Sequence, residues 1–308
     1  MMAGGEQRHT MVTSQLISLD DPKVGRYYAD VPPEQMAQLR AFLAEYPYRR
    51  HRMAGVDWQY ITAGEGDDAL VLLPGALGRA ETAWQLILAF AQRRRVLAPS
   101  YPPVTTMALL AEGVAGLMQH ENIARAAVLG GSYGGFVAQV FARRFAGQTS
   151  RLILSHTAYP DTARGAQVKG AARWFPVLPM SMLRSVYRRS TSGLLPEEHP
   201  ETVLADAQYD HIVDLVLTKR DLVGMYRRIA DYDTNYAFAP GDLAGWPGQV
   251  LLIFADDDPG TPETVRTHMQ ELYPGAQLHL FYGTKHAAPV VKRDEFVAVI
   301  EEFLNAAG

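Results

Sequence analysis

The feature that most constrains this chain is a serine enclosed by glycines. Ser132 follows Gly130 and Gly131 and precedes Gly134 and Gly135, between an apolar run typical of a buried strand and a run typical of a helix. So tight a turn strains the backbone and brings the helix close to the strand, so the neighbouring positions must lack side chains. The pattern predicts a strand–turn–helix unit that presents the Ser132 hydroxyl as a nucleophile.

Two other glycine-rich loops also join a strand to a helix, and neither fits these residues. A dinucleotide-binding GxGxxG pattern beginning at Gly130 would need glycine at Ser132. A phosphate-binding GxxxxGK[ST] pattern would need lysine and a hydroxyl residue at Phe136 and Val137. We therefore expect neither a nucleotide nor another cofactor, and the histidine spacings predict no metal site.

Short apolar runs alternate with helical patterns along most of the chain. The run at 69–73 is apolar throughout, as expected for a strand buried on both faces of a sheet. The predicted strands are 49–56, 58–63, 69–73, 95–98, 125–129, 151–155, 250–254 and 277–281. The predicted helices are 32–46, 80–92, 107–119, 136–145, 262–272 and 293–304. This alternation predicts the α/β class, with a mostly parallel central sheet flanked by helices.

The alternation is interrupted once. Residues 159–246 contain helical segments and several prolines but no clear strand, which predicts a helical cap, or lid, inserted into the core. Residues 32–158 and 247–308 then form the core. Residues 1–31 show no sustained periodicity and are predicted to be a poorly ordered or surface-draped N-terminal extension.

Composition excludes several other classes of protein. The 308 residues are 48% hydrophobic and carry a formal net charge of -4, which argues against a nucleic-acid partner. There is no cysteine, so disulfides and thiolate catalysis are excluded. No apolar run approaches the ~18 residues that cross a bilayer, and residues 1–13 lack the apolar segment of a signal peptide. We expect a cytoplasmic protein without a membrane span, with a homo-oligomer left open.

An acid and a histidine follow later strands. Ligands bind at the carboxyl ends of the strands in a parallel sheet. Three consecutive aspartates ending at Asp258 follow one predicted strand, and His286 follows the next predicted strand. A serine needs an imidazole to take its proton, and the imidazole needs a carboxylate to orient it. We therefore predict that Ser132, Asp258 and His286 are catalytic. Asp258 is favoured because it immediately precedes Pro259 and lies nearest the next helix; Asp257 is the alternative.

An oxyanion formed at the attacked carbonyl would need backbone donors. The N–H of Tyr133, directly after the serine, is one candidate. The loop after strand 69–73 supplies the second, and Ala76 N–H is the expected donor because Gly75 permits a tight turn before it.

The chain from about residue 50 to its C terminus resembles the α/β-hydrolase superfamily. The motifs that carry the resemblance are residues 72–75, 130–135, 256–259 and 283–286. Within the superfamily the chain is most similar to maspardin-type hydrolases, through residues 100–103, 174–179 and 272–276. Pro74-Gly75 departs from the frequent His-Gly opening of the loop without removing a backbone donor. The resemblance implies the α/β-hydrolase fold and a serine hydrolase of carboxylesterase type.

The predicted cap would then contribute to a substrate pocket for a small-molecule ester. Trp174, Phe175, Leu178 and Met182 are candidates to line an apolar acyl or alcohol pocket, although the same residues would also suit the cap's own core.

Other functions use the same residues. A proline-releasing aminopeptidase would need acids in the cap to hold the substrate ammonium, for which Glu197, Glu198 and Glu201 are candidates. Thioesterases and lactonases use the same triad. The alternative from another class is a non-catalytic, maspardin-like binding protein.

Overall fold

The strands of the computed structural model, which describes residues 19–196 and 199–306, form one eight-stranded sheet. In chain order they are β1 (Arg49–Met53), β2 (Val56–Ala63), β3 (Ala69–Leu73), β4 (Arg95–Ser100), β5 (Ala126–Gly131), β6 (Thr149–Ser155), β7 (Gln249–Ala255) and β8 (Gln277–Phe281). Their order across the sheet is β1-β2-β4-β3-β5-β6-β7-β8. The pairs β1–β2 and β2–β4 are antiparallel, and all other neighbours are parallel.

Both faces of the sheet are covered, as β3 illustrates. All five of its residues are buried. Successive side chains of a strand point to opposite faces, and Val71 lies in one hydrophobic cluster while Leu70 and Leu72 lie in the other. This explains why the run at 69–73 is apolar without alternation, and it confirms the predicted α/β class.

Twelve α-helices accompany the strands in the described residues. They are α1 (Pro22–Gly25), α2 (Pro33–Glu45), α3 (Trp84–Ala91), α4 (Met107–His120), α5 (Tyr133–Arg144), α6 (Thr162–Ala172), α7 (Met180–Thr191), α8 (Val203–His211), α9 (Lys219–Asn235), α10 (Glu263–Leu272), α11 (Ala288–Val291) and α12 (Arg293–Asn305). Helices α4, α5 and α10 contribute to one hydrophobic cluster, and α2, α3 and α12 to the other. None of the helices in the described ranges has the length and apolar character needed to cross a membrane.

The segment between β6 and β7 is helical in the residues that the structure describes. Its four α-helices are joined by a π-helix over Ile212–Val216 and a short 3₁₀ turn. Asp233 of α9 is fully buried and accepts two hydrogen bonds from Arg164, one 2.7 Å and one 2.6 Å long, which ties α6 to α9.

The N-terminal extension differs from the expectation where the structure describes it. Residues 1–18 lie outside the described residues, but α1 and the 3₁₀ turn after it are folded. Val24 and Tyr28 are buried, and the Tyr28 hydroxyl lies 3.0 Å from Nδ1 of His211 on α8. Turns this short cannot show a helical period, so the pattern gave no sign of these anchors.

Candidate active site

Ser132 lies between β5 and α5 in a strained conformation. Its backbone has φ 53° and ψ −124°, a region that residues with a side chain rarely adopt. A Cβ at Gly130 would lie 2.3 Å from the carbonyl oxygen of Gly134, and one at Gly134 would lie 2.3 Å from that of Leu73. No real Cβ tolerates such a contact, so the glycines on both sides are a steric requirement of the turn.

The end of β6 supports the same turn. The Ser132 N–H donates to the carbonyl of Ser155 at 2.8 Å, and the Thr157 hydroxyl donates to the carbonyl of Ser132 at 2.8 Å. A Cβ at Gly135 would lie 2.4 Å from that hydroxyl oxygen. Both polar backbone groups of Ser132 are therefore occupied, which fixes the direction of its side chain.

Asp258 lies at the end of β7 with its carboxylate buried. Oδ1 accepts from the Gly260 N–H, and Oδ2 accepts from the Thr261 hydroxyl and from Nδ1 of His286, each at 2.8 Å. Burial alone would raise the pKa of Asp258, but the hydrogen bonds and the nearby imidazole together lower it below its ordinary value. The carboxylate is thus ionised and acts as an acceptor.

The two preceding aspartates have a different role. Asp256 Oδ1 accepts from the Gly283 N–H at 3.0 Å, and Asp257 Oδ1 accepts from the Lys285 N–H at 2.8 Å. Each therefore holds the backbone of the loop before His286. The structure places Asp258, the favoured candidate, against the imidazole, and Asp257, the alternative, against the main chain.

His286 is oriented by these contacts. Because Asp258 accepts from Nδ1, the second ring nitrogen, Nε2, is left unprotonated in the neutral imidazole. Nε2 is buried and has no hydrogen-bond partner among the described residues. The His286 N–H donates to the carbonyl of Leu194 at 3.0 Å, so the helical insertion between β6 and β7 also holds this loop.

Ser132 and His286 line the same cavity, which has a volume of about 210 Å³. Gly75 approaches from the loop after β3, where an added Cβ would lie 4.0 Å from that of Ser132. Much of the wall is apolar, including Leu86 and Phe296. Aspartate and glutamate are absent from the described residues that line it.

A second histidine in this cavity was not predicted. His156, directly after β6, is buried, has φ 48° and lines the cavity. Its Nδ1 lies 2.7 Å from the Ser155 hydroxyl, and its Nε2 has no partner among the described residues. Burial, and then the neighbouring His286, lower the pKa of His156 to about 3, so its imidazole is neutral at physiological pH. Its place at a strand end is the signal that could have identified it.

Neither of the predicted oxyanion donors, Ala76 and Tyr133, is among the described residues that line the cavity around Ser132, and Ala76 lines a separate cavity with Gly78 and Arg228. In the described part of the chain, neither the Ala76 N–H nor the Tyr133 N–H donates to another backbone or side-chain group. The loop that carries Ala76 is fixed on either side: Gly78 N–H donates to Gly75 O at 2.9 Å, and the Tyr101 hydroxyl donates to Pro74 O at 3.0 Å.

The predicted pocket residues of the insertion lie elsewhere. None of Trp174, Phe175, Leu178 and Met182 lines the cavity around Ser132. Trp174 and Met182 are exposed, and Leu178 is partly buried against the core. Phe175 packs edge-on against Tyr226 of α9, with ring centroids 4.8 Å apart. Consecutive residues thus face opposite sides of the insertion.

Two of the three acids considered for an aminopeptidase, Glu197 and Glu198, lie outside the described residues. The third, Glu201, is exposed in the 3₁₀ turn before α8. Clusters of three or more potential metal ligands are absent from the residues that the structure describes.

The fold and these motifs define the family. The model of the alpha/beta hydrolase family matches residues 70–299, and the chain belongs to this family. It is 32% identical to the magnesium-chelatase 30 kDa subunit of Rhodobacter capsulatus, over 86% of this chain and 99% of that protein. It is 26% identical to mouse maspardin, over 71% of this chain and 77% of that protein, which agrees with the resemblance seen in the motifs.

Two further comparisons agree with the fold. The chain is 23% identical to proline iminopeptidase of Lactobacillus helveticus, over 82% of this chain and 95% of that protein. Among solved structures, a hydrolase from Pseudomonas aeruginosa superimposes with a TM-score of 0.70 at 20% identity, over 84% of this chain and 99% of that one.

Proposed function

We propose that the protein is a serine hydrolase that cleaves a carboxylic ester through an acyl-enzyme intermediate. The observation that carries the proposal is that Ser132 and His286 line one cavity while Asp258 holds the imidazole from behind. A strained serine, an oriented imidazole and a buried carboxylate are the three parts that this chemistry needs.

In the first half of the reaction, Ser132 Oγ attacks the ester carbonyl while Nε2 of His286 takes the hydroxyl proton. The N–H groups of Ala76 and Tyr133 donate to the oxyanion, and each such donor contributes roughly 3 kcal/mol of transition-state stabilisation. The C–O bond then breaks, and His286 returns the proton to the leaving alkoxide, which departs as the alcohol. The ionised Asp258 stabilises the imidazolium throughout.

In the second half, His286 takes a proton from water and the resulting hydroxide equivalent attacks the acyl carbonyl. Collapse of the second oxyanion breaks the acyl bond to Ser132 Oγ, and His286 reprotonates that oxygen. The products are one carboxylic acid and one alcohol, so the free enzyme is restored.

The size and lining of the cavity support the proposal of a short, neutral ester. Its volume of about 210 Å³ lies below the ~300–1,000 Å³ typical of sites for drug-sized ligands, which favours a short acyl group. The described lining contains no carboxylate to receive an ammonium group. This favours a neutral ester over the peptide substrate of an aminopeptidase.

The test is hydrolysis of p-nitrophenyl esters of increasing acyl length by the wild type, Ser132→Ala and His286→Ala. We expect the wild type to prefer short acyl chains and each variant to lose activity by a factor on the order of 10⁴ or more. A fluorophosphonate probe should label the wild type but not Ser132→Ala. Equal hydrolysis by all three proteins would overturn the proposal.

One comparison favours a second candidate, a subunit that acts by association. The relative named as the 30 kDa subunit of magnesium chelatase is matched over 99% of its length. We would test whether the chain forms a complex with other magnesium-chelatase subunits by sedimentation velocity. This candidate would be favoured if the wild type hydrolysed no ester and if both the wild type and Ser132→Ala formed the complex.

A further inference from the structure

Among the residues that the structure describes, most of the exposed large apolar side chains belong to one segment of the insertion. Seven large hydrophobic residues of the described chain are exposed, and four of them lie within residues 174–186. Their exposed fractions are 58% for Trp174, 74% for Val177, 50% for Met182 and 39% for Val186. We call this surface, formed by α6, α7 and the turn between them, the outer face of the insertion.

The outer face is not the side by which these helices pack on the protein. Helix α7 buries Leu183 and Tyr187, which face the hydrophobic core. Met182 and Val186 follow the same spacing one residue earlier in the sequence, about 100° around the helix, and are exposed. Helix α7 is therefore apolar on two sides, and only one of them is covered.

The same segment is strongly basic. Residues 162–191 contain six lysines and arginines and no aspartate or glutamate, in a chain whose formal net charge is -4. Arg164 pairs with Asp233, and Arg188 pairs with two aspartates of the neighbouring helices. Arg184 donates to two backbone carbonyls.

Three cations remain without a carboxylate partner among the described residues: Lys169, Arg173 and Arg189. All three are exposed: Arg189 lies seven residues after Met182, on the same side of α7, while Lys169 and Arg173 border a groove between α6 and α9. The Arg173 guanidinium lies 5.3 Å from the centre of the Trp174 ring. Arg173 and Arg189 thus place positive charge beside the exposed apolar side chains, and Lys169 adds charge to the same segment.

We propose that the outer face of the insertion docks on the surface of an anionic lipid bilayer. The headgroup region of a bilayer accepts an indole ring and aliphatic side chains, while its negative potential attracts lysine and arginine. This contact lies on the surface and needs no spanning helix.

Other occupants fit the same surface less well. A two-fold contact with a second copy would place each basic face against itself, and like charges repel. The phosphate backbone of a nucleic acid would satisfy the three cations but leave the four apolar side chains exposed to water. The bilayer surface satisfies both sets of groups.

The test is co-sedimentation of the full chain with vesicles of phosphatidylcholine alone or mixed with phosphatidylglycerol. We expect binding to the mixed vesicles only, weakening as salt rises. Lys169→Gln/Arg173→Gln/Arg189→Gln should bind roughly 100-fold more weakly. Trp174→Ser/Val177→Ser should also lose binding. In the wild type, tryptophan fluorescence should shift to the blue on binding, and Trp174→Phe should abolish the shift. Of the other three tryptophans, Trp58 and Trp84 are already buried, and Trp246 is half-buried with its indole N–H donating to the Thr149 carbonyl.

Matched controls remove equivalent groups from other surfaces. Leu109→Ser/Leu278→Ser changes two side chains that are 46% and 47% exposed, and Arg52→Gln/Arg93→Gln/Lys292→Gln removes three exposed cations. Both controls should bind as the wild type does. The proposal is overturned if mixed vesicles bind no protein at low salt, if the controls weaken binding as much as the outer-face variants, or if Trp174→Ser/Val177→Ser instead abolishes a dimer that forms without lipid.

Discussion

The imidazole of His156 lies edge-on to the imidazole of His286, with ring centroids 5.3 Å apart and the ring planes inclined by 70°. His286 has a carboxylate behind it, whereas His156 has only the Ser155 hydroxyl. A proton on His156 would therefore be buried beside the proposed catalytic base with no carboxylate of the described residues in hydrogen-bond contact, and the charge of the nearby Asp258 only partly offsets that cost. The site accordingly depresses the basicity of His156 and keeps it neutral.

This arrangement predicts a pH dependence of stability. The pKa of His156 falls from its ordinary value of 6.5 to about 3 in the folded protein. Between these pH values the unfolded chain binds one more proton, so the stability of the folded state falls as pH falls, by up to about 1.4 kcal/mol per pH unit. We expect His156→Gln to show a shallower loss of stability than the wild type from pH 6.5 to pH 4, measured by urea unfolding.

Other buried histidines, such as His211, whose pKa burial also lowers, contribute equally to both proteins. The difference between the two profiles of unfolding free energy against pH therefore reports the contribution of His156 alone. Parallel profiles would contradict this reading of the site.

The choice between neighbouring carboxylates gives a second prediction. Asp258→Asn removes the acceptor that fixes the His286 tautomer, and we expect kcat on esters to fall on the order of 10³ to 10⁴-fold. Asp257→Asn keeps an oxygen that accepts from the Lys285 N–H, so we expect little change in kcat. Steady-state kinetics of the two variants measure this difference. A larger loss of kcat in Asp257→Asn would assign the triad carboxylate to Asp257.

The glycines around the serine give a third prediction. An alanine at Gly134 would place its Cβ 2.3 Å from a backbone oxygen, whereas at Gly131 the nearest atom is 4.0 Å away. We expect Gly134→Ala to lower the free energy of unfolding by about 3 kcal/mol or more, because a backbone clash exceeds ordinary overpacking. Gly131→Ala is the matched control and should unfold as the wild type does. Similar denaturation midpoints for both variants would contradict the steric argument.

The sequence predicted these local features because each depends on a few consecutive residues. The bounds of β3 and β8 match the predicted strands, and Ser132, Asp258 and His286 follow strands at one edge of the sheet. His156 satisfied the same criterion but belongs to no motif that distinguishes it from an ordinary loop histidine. A search of all strand ends would therefore have found His156, whereas a search for known motifs did not.

The insertion could not be predicted in the same way. Which side of α7 faces the core depends on the packing of α7 against helices distant in sequence. Trp174 and Phe175 are adjacent and both aromatic, yet one is exposed and the other buried. A pattern of apolar residues on two sides of a helix does not reveal which side is covered, because tertiary contacts decide it.

Tyr133, the residue after the serine, gives a fourth prediction, which separates the structural role of its side chain from the catalytic role proposed for its backbone N–H. The Tyr133 hydroxyl accepts from Nε of the buried Arg228 at 2.5 Å, while Nη1 donates to the carbonyls of Pro102 and Val104. We expect Tyr133→Phe to cost about 1–3 kcal/mol of stability, since it leaves a buried donor unpaired. The kcat on esters should be unchanged because the Tyr133 N–H remains.

Thermal unfolding and ester hydrolysis measure the two effects on one protein sample. Tyr282→Phe, at a side chain that is 66% exposed, is the control for loss of a phenol hydroxyl. A fall in kcat without a fall in stability would assign the catalytic contribution to the hydroxyl of Tyr133.

The strain at Ser132 resides in its backbone, and the glycines around it are what make the turn possible. The described contacts that fix Ser132 use its N–H and its carbonyl and leave its hydroxyl unused. A change confined to the Ser132 side chain would therefore leave the fold intact. A substitution at this one position could therefore remove the proposed nucleophile while the surfaces that a partner would contact keep their shape.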